Sequence, residues 1–361
     1  LNKMKVIISA GYQAQDRFFD ENVWLDYGTG GTEFCIIKLS KALAKLGHEV
    51  TVTGYVKTTT MDDGVKYIHY DALSKADYDV AIGANYLSFV KELRDKKIKA
   101  TKWIFWMHND DYYNWFRGET MDNWIQYFDD IDCVVGVSQF HANILKEKAV
   151  ELFGYVNRDV NPYIRGIDNA LDNTDWVDYK HNKVKGRIIW SSSPDRGLKT
   201  LLDNWDKIKV IMPDATLNVC SPPYAETWSD RDYSKLDGVT WVGSLNHYDL
   251  RQQISEAEYW IYSSEYLETY CITALEMLRG KVKIITNGTG NINNITQNFG
   301  VTIETLDDIL MTLYLDQTDK AFAHKFQSRL NLGQQYAIRQ DWDLRVHEWI
   351  KLFKNLGIHV E

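Results

Sequence analysis

Short apolar runs alternate with longer amphipathic stretches along most of the chain. Lys5 to Ala10 has the continuous apolar character of a buried strand, Thr32 to Leu46 carries helical periodicity and stops at Gly47, and Glu49 to Gly54 reads as the next strand. Tyr78 to Gly83, Lys102 to Met107 and Asp132 to Val137 continue the series, each followed by polar or helical sequence. Such β/α alternation predicts a mainly parallel sheet. From about Arg165 to Lys185 the apolar periodicity lapses, and Asp168, Asn169, Asp172, Asn173, Asp175 and Asp178 read as an inter-domain connection. The strand pattern then restarts at Arg187 to Trp190, Thr216 to Cys220, Gly238 to Val242, Tyr259 to Ser263 and Lys281 to Thr286. The expected organisation is therefore a first α/β domain over 1–170, a linker over 171–186, a second α/β domain over 187–335, and a helical tail over 336–361. That tail, with Trp342, Trp349 and Phe353, is expected to pack back across the junction. In open parallel sheets ligands bind at the carboxyl ends of the strands, so two such domains should face each other across a cleft built from those ends.

Bulk properties narrow the chemistry. A chain of 361 residues exceeds what one core usually supports, which agrees with two domains. No apolar run approaches the roughly 20 residues needed to span a bilayer, and no signal-peptide pattern is present, so a cytoplasmic location is expected. The four cysteines, Cys35, Cys133, Cys220 and Cys271, show neither C-x-x-C nor zinc-ligand spacing and read as reduced core thiols. A net charge of -9 offers no general attraction to nucleic acid. The one basic stretch, Lys91, Arg94, Lys96, Lys97, Lys99 and Lys102, reads better as a solvated helix end than as a contact for an anionic membrane or acceptor.

The sharpest chemical signal lies between Tyr259 and Gly280. An apolar strand gives way to a polar loop holding Glu268, then to an amphipathic run in which Glu276 follows seven residues after Glu268. Counted at about 100° per residue, Glu276 falls about 40° from Ile272 and borders the stripe of Leu275 and Leu278. A helix starting near Tyr270 would put Glu276 roughly 9 Å along its axis with its side chain leaning back toward the N-terminus. Both carboxylates then line one pocket, beside a helix start whose unpaired N–H groups suit a phosphate. Carboxylates next to a phosphate make sense as hydroxyl binders. The competing reading leaves Glu268 a solvated loop residue and Glu276 a boundary residue paired to Arg279 or a neighbour.

Other candidate residues fall on predicted strand ends. Gly28-Thr29-Gly30-Gly31-Thr32-Glu33 precedes the first helix and can offer amides to an anion, or merely cap that helix. It fails as a dinucleotide fingerprint, because Glu33 stands at the third glycine position and no tight turn joins it to the strand. Ser191-Ser192-Ser193-Pro194-Asp195-Arg196-Gly197 opens the second domain's first helix. Arg196 is a fork suited to a diphosphate, with Lys199 a turn later, unless it is simply exposed behind a cap. His108 ends a strand of the first domain, where a hydrogen-bonding structural role competes with a chemical one. Asp110 and Asp111 lack a third ligand for a metal. Tyr112, Tyr113 and Trp115 are the expected acceptor-side aromatics.

In their order along the chain these motifs resemble a known family. Ser264 to Glu276 is similar to the E-x7-E donor signature of retaining glycosyltransferases of GT-B architecture, specifically glycosyltransferase family 4. Gly30-Gly31-Thr32-Glu33, Val137-Ser138, Arg165-Gly166-Ile167-Asp168, Asp195-Arg196-Gly197, Val242-Gly243-Ser244-Leu245 and Lys281 to Gly290 support the match. The resemblance implies two Rossmann-like domains facing across a deep cleft. It also implies metal-independent transfer of a sugar from a nucleotide diphosphate donor to an acceptor hydroxyl with retention of anomeric configuration. By that resemblance Glu268 holds sugar hydroxyls, Glu276 the ribose, and the backbone of Tyr270, Cys271, Ile272 and Thr273 the diphosphate. Val242, Ser244, Leu245, Ser221 and Tyr224 frame the base, while Gly30 and Gly31 close the phosphate site. His108 positions the donor sugar. The family usually places an arginine and then a lysine around Ser191 to Arg196. Here serines take the earlier place, so Arg196, helped by Lys199, carries the diphosphate charge. No cofactor is implied. The acceptor would be a glycan, glycolipid or glycoprotein. A nucleotide-sugar epimerase or phosphorylase of the same fold, and a silent carbohydrate-binding relative, remain as other readings.

Overall fold

The computed structural model describes residues 3–10, 29–110, 126–155, 163–176, 179–180, 182–221 and 233–359, without the side chains of 152–155 and 234. Two compact units divide the chain: one contains Gly30–Asn169 together with the segment from Trp342 onward, the other Ala170–Asp341.

The first unit is built on β1 (Lys5–Ser9), α1 (Gly31–Lys45), β2 (Glu49–Gly54), β3 (Thr60–Asp62), β4 (Val65–His69), β5 (Ala76–Ala84), α2 (Phe89–Asp95), β6 (Ile98–Met107), β7 (Cys133–Gly136), α3 (Gln139–Tyr155) and β8 (Ile164–Gly166). Its sheet runs β3-β4-β2-β1-β5-β6-β7-β8, parallel throughout except where β3 pairs antiparallel with β4. Val6, Ile7 and Ile8 are fully buried because β1 sits mid-sheet, pairing Val6 with both Val50 and Val80. A strand covered on both faces needs a continuous apolar run, which is why β1 is legible from composition. β3, β4 and β8 were not among the expected strands; their short, mixed runs, Thr60–Asp62 above all, lie toward the sheet edges, where partners rather than pattern define them.

The second unit comprises β9 (Arg187–Trp190), α4 (Leu198–Asp203), α5 (Trp205–Ile211), β10 (Thr216–Val219), β11 (Val239–Trp241), α6 (His247–Glu256), β12 (Tyr259–Tyr262), α7 (Ile272–Arg279), β13 (Lys283–Thr286), α8 (Ile292–Thr296), β14 (Val301–Thr302), α9 (Leu306–Thr318) and α10 (Lys320–Arg339). The sheet order is β11-β10-β9-β12-β13-β14, all parallel. Counted from β9 this is the 3-2-1-4-5-6 order of a Rossmann sheet, with its topological switch between β9 and β12. In the first unit the direction of winding reverses in the same way between β1 and β5.

The polar stretch read as a connection starts later than its first residues suggest, since Arg165 and Gly166 belong to β8. Beyond Asn169 the chain enters the second unit, and Asn173–Trp176 forms a 3-10 turn. There Asn173 donates to Asp341 Oδ2 (2.8 Å) and to the Ile338 carbonyl (2.7 Å), fastening the outgoing segment to the returning one. The last helix, α11 (Trp342–Asn355), groups with the first unit, where Trp349 and Trp342 pack edge-on against Trp106 at 4.9 and 6.3 Å. No helix among the described residues is long and apolar enough to cross a membrane. The basic stretch is largely self-neutralised: Lys91 pairs with Asp95, Arg94 with Asp130, Lys96 with Asp71 and Lys102 with Asp132. All four cysteines are buried free thiols.

Candidate functional site

The carboxyl ends of β9 and β12 carry the densest polar constellation of the second unit. Trp190 ends β9 and its indole N–H donates to the Ser192 carbonyl (2.8 Å), which folds the serine run into a turn ahead of a single 3-10 turn at Pro194–Arg196. Gly197 follows with φ 113°, and a Cβ there would lie 2.1 Å from the Ser263 carbonyl oxygen. Only glycine meets both conditions. This contact brings Arg196 against the loop after β12, where its Nη1 donates to Glu268 Oε1 (2.9 Å) and its guanidinium lies 4.1 Å from the Tyr266 ring centroid. The Tyr262 hydroxyl donates to the same Oε1 at 2.6 Å. Tyr262 is itself stacked on Trp190 (5.2 Å) and Trp260 (4.8 Å), so the donor is held by packing. Burial first, then the Glu268 charge, pushes the Tyr262 phenol pKa upward and keeps it a donor. Glu268 is 5% exposed, the reverse of a solvated loop acid, and its burial is tolerable because the charge is paired and hydrogen-bonded.

The segment after β13 clamps this loop. Asn287 Nδ2 and Thr289 Oγ1 both donate to the Ser264 carbonyl (2.7 and 2.8 Å), and the Asn291 N–H donates to the Glu268 carbonyl (2.8 Å). Gly290, at φ 68°, comes so close that a Cβ would sit 2.4 Å from that carbonyl oxygen. The sequence carried a turn signal in Asn287-Gly288-Thr289-Gly290-Asn291, but which loop it would grip is a tertiary fact.

Helix α7 starts at Ile272, two residues later than the expected Tyr270. Cys271 is its N-cap, in the left-handed region at φ 74° with no side-chain cap hydrogen bond. A non-glycine residue there ends the loop abruptly, which periodicity does not register. Burial raises the Cys271 thiol pKa well above its ordinary value, with Glu268 adding to it, so the group is a neutral thiol. Glu276 lies on the second turn, half-buried, and its carboxylate accepts no hydrogen bond from any described residue. Desolvation pushes its pKa up to about 7; Arg251 pulls it down and Asp175 pushes it up. Arg251 is 1% exposed, donates from Nη2 to Asp175 (2.8 Å), and lies 5.3 Å from the Trp176 ring centroid. Arg279 does not pair with Glu276: its Nε donates to Asn173 Oδ1 (3.0 Å).

Lys199 is paired with Asp203 one turn on along α4. Ser221 is buried just beyond β10, and Val242, Ser244 and Leu245 follow β11, where the Val242 N–H donates to the Val219 carbonyl (2.9 Å). Both loops thus leave the strands on the far side of β9 from Glu268. Tyr224 lies outside the described residues. Tyr262, Asn291 and Arg251 escaped the sequence reading, and Asp175 and Tyr266 were read only as part of the connection and of the Ser264–Glu276 motif, because a strand aromatic or a helix arginine has no local mark of its partner.

In the first unit, Gly30 caps α1 and Gly31 is its first residue. His108 follows β6, with its backbone N–H donating to Asn85 Oδ1 (2.8 Å) and its ring 4.6 Å from that of Trp106. Asn85 Nδ2 donates in turn to Thr32 Oγ1 (3.2 Å), on the first turn of α1. Burial, with a smaller contribution from His141, lowers the His108 pKa to about 3, so its imidazole is neutral. Asp110 is 3.6 Å from Lys148. Asp111, Tyr112, Tyr113 and Trp115 lie outside the described residues. Among the described residues no group of three or more His, Cys, Asp or Glu is placed to hold a metal ion.

No family model matches the chain, and no curated protein matches it either. Solved structures do. A glycosyltransferase from Rickettsia africae superposes with a TM-score of 0.71 at 14% identity, covering 100% of both chains. Sucrose-phosphate synthase from Thermosynechococcus elongatus gives 0.66 at 14% identity over 98% of this chain and 99% of its own. The architecture is GT-B. Anabaena HepE, solved in complex with UDP and glucose, shares this GT-B fold with a TM-score of 0.66 at 11% identity over 97% of this chain and 99% of its own. At such identities the GT-B likeness carries architecture; chemistry has to be argued from the residues.

Proposed function

We propose that this protein is a retaining, nucleotide-sugar-dependent hexosyl- or pentosyltransferase of glycosyltransferase family 4 character, acting without a metal on a glycan, glycolipid or glycoprotein acceptor. The observation that carries the reading is the buried Glu268 carboxylate, held by Arg196 and Tyr262 at the β9/β12 switch point, with the start of α7 and Glu276 following it. The first N–H groups of a helix lack intrahelical partners and meet a diphosphate well. Glu268, with its orientation locked, suits hydroxyls of the transferred sugar, and Glu276, without a hydrogen bond from a described residue, suits the ribose diol. Charge builds on the leaving phosphate as the glycosidic bond breaks, and Arg196 with the α7 amides would stabilise it in place. A leaving phosphate oxygen can accept the proton of the incoming hydroxyl, so neither glutamate needs to act as a nucleophile, unlike the paired carboxylates of hydrolases. That the similar Anabaena protein was solved with UDP and glucose supports a nucleoside diphosphate sugar as donor.

The test is a screen of UDP- and GDP-linked sugars for nucleoside diphosphate release with and without acceptors, followed by Glu276→Ala on the accepted donor. The variant should lose tenfold or more in donor affinity or turnover, each tenfold being about 1.4 kcal/mol. Unchanged kinetics with every accepted donor would remove Glu276 from the site. Loss of the donor sugar's identity without nucleotide release would favour an epimerase, and binding without turnover a silent relative.

A further inference from the structure

His108 is gripped on both sides by buried side chains that the proposed reaction does not use. On one side its own N–H is taken by the Oδ1 of Asn85 (2.8 Å), a residue 9% exposed at the end of β5. The amide orientation is unambiguous, because a backbone N–H only donates, so Oδ1 must face it. Asn85 adopts φ 61°, a left-handed conformation that costs a non-glycine residue energy and persists only where its surroundings fix it. Here the surroundings are its own hydrogen bonds: N–H to the Trp106 carbonyl (3.0 Å), Nδ2 to Thr32 (3.2 Å) and Oδ1 to His108.

On the other side stands His141, fully buried on the first turn of α3. Its Nδ1 accepts from the Val137 N–H (3.1 Å), which places the ring proton on Nε2. That Nε2–H donates to the carbonyl of Asn109 (2.8 Å), the residue after His108. The chain is thereby fixed at the His108 amide by a β5 residue and at the Asn109 carbonyl by an α3 residue.

We propose that Asn85 and His141 are positioning residues whose task is to hold the His108 backbone, and with it the point from which the imidazole projects, at one place. The inference rests on the reading of His108 as a group that binds hydroxyls of the donor sugar. Placement matters in such a role, since an interaction displaced by about 1 Å can cost on the order of 100-fold in rate. Asn85 also joins His108 to Thr32, so the glycine-capped start of α1 and the backbone of His108 are tied by one side chain.

The experiment compares wild type, Asn85→Gly, Asn85→Asp, His141→Leu and His108→Ala, and the double variant Asn85→Gly/His108→Ala, on the donor found by the screen. Glycine keeps the left-handed backbone and removes only the amide, while aspartate keeps the acceptor for the His108 N–H. Asn85→Gly and His141→Leu should each lower kcat at least fivefold with donor KM within about twofold, and Asn85→Asp should recover most of the loss. In the His108→Ala background Asn85→Gly should add less than twofold. An equal loss in both backgrounds would overturn the proposal, as would an unchanged kcat in Asn85→Gly where His108→Ala itself lowers turnover. A second measurement does not depend on turnover: the His108 amide and ring NMR resonances should move in Asn85→Gly and return toward wild type in Asn85→Asp. Resonances that stay put would overturn the positioning role by themselves. If His108→Ala leaves donor turnover intact while these resonances still move, the catalytic reading fails and the positioning stands.

Discussion

The two sheets share a winding pattern yet equip their strand ends with opposite electrostatics. In the second unit the β9/β12 switch point holds formal charge: Arg196 against Glu268, Arg251 against Asp175, and a Glu276 carboxyl poised near neutrality. In the first unit the groups that hold the chain at His108 are uncharged, an amide and two imidazoles held near pKa 3 and 4 by burial, with the Asp110–Lys148 pair beside them. A Rossmann-like sheet therefore fixes where a ligand sits and leaves its charge to the loops. In the proposed reaction the charged groups of the second unit would meet the anionic leaving group, and the uncharged groups around His108 the hydroxyls.

The largest effect that would break this contrast comes from backbone, not charge. Gly290→Ala puts a Cβ where 2.4 Å separates it from the Glu268 carbonyl and strains a φ of 68°, so a stability loss of about 1–3 kcal/mol is expected, together with at least a tenfold fall in donor turnover. Denaturant titration and steady-state rates check it, and a variant with wild-type midpoint and rate would show that the clamp does not set the site.

Next is pH. Glu276 is raised in the folded state, so its contribution to stability is complete below the unfolded carboxyl value and is lost as pH rises through about 7. His108 and His141 are lowered, so theirs is complete above the ordinary imidazole value of 6.5 and is lost as pH falls toward about 3 and 4. Glu276 and the two histidines thus respond to acid with opposite sign. In the proposed site a ribose diol would donate to the ionised carboxylate, so nucleotide affinity should be full above about pH 7 and weaker by up to tenfold per unit below it, read by calorimetry. Glu276→Gln should flatten that profile; a profile unchanged in the variant would assign the titration elsewhere.

The smallest expected effect is at the basic stretch of the first unit. Lys96→Ala and Lys91→Ala should each shift stability by less than about 0.5 kcal/mol and leave vesicle sedimentation unaltered, since both lysines are already paired with aspartates at the surface. Loss of binding to vesicles rich in anionic lipid would instead make that face a membrane contact.

Much of the fold was legible before any coordinates. Glu49–Gly54 and Arg187–Trp190 appear with their expected limits, the first marked by valines alternating with β-branched threonines and the second by the apolar run Ile188–Trp190. The short strands Thr60–Asp62, Ile164–Gly166 and Val301–Thr302 were not, since strands of two or three residues carry no period to detect. The spacing of Glu268 and Glu276 marked the candidate site, yet local pattern said nothing of Tyr262, Arg251 or Asn85.

What the sequence determined by itself was periodicity and chemical type: which runs are strands, which loops carry carboxylates, glycines and an arginine. Those properties are local and survive in a single dimension. The tertiary structure decided pairing, that Arg196 meets Glu268 while Lys199 meets Asp203, and that α7 opens at Ile272 rather than near Tyr270. It also decided ionisation, because the pKa of Glu276 or His108 depends on how much water and charge surround it, and those neighbours come from residues far away along the chain.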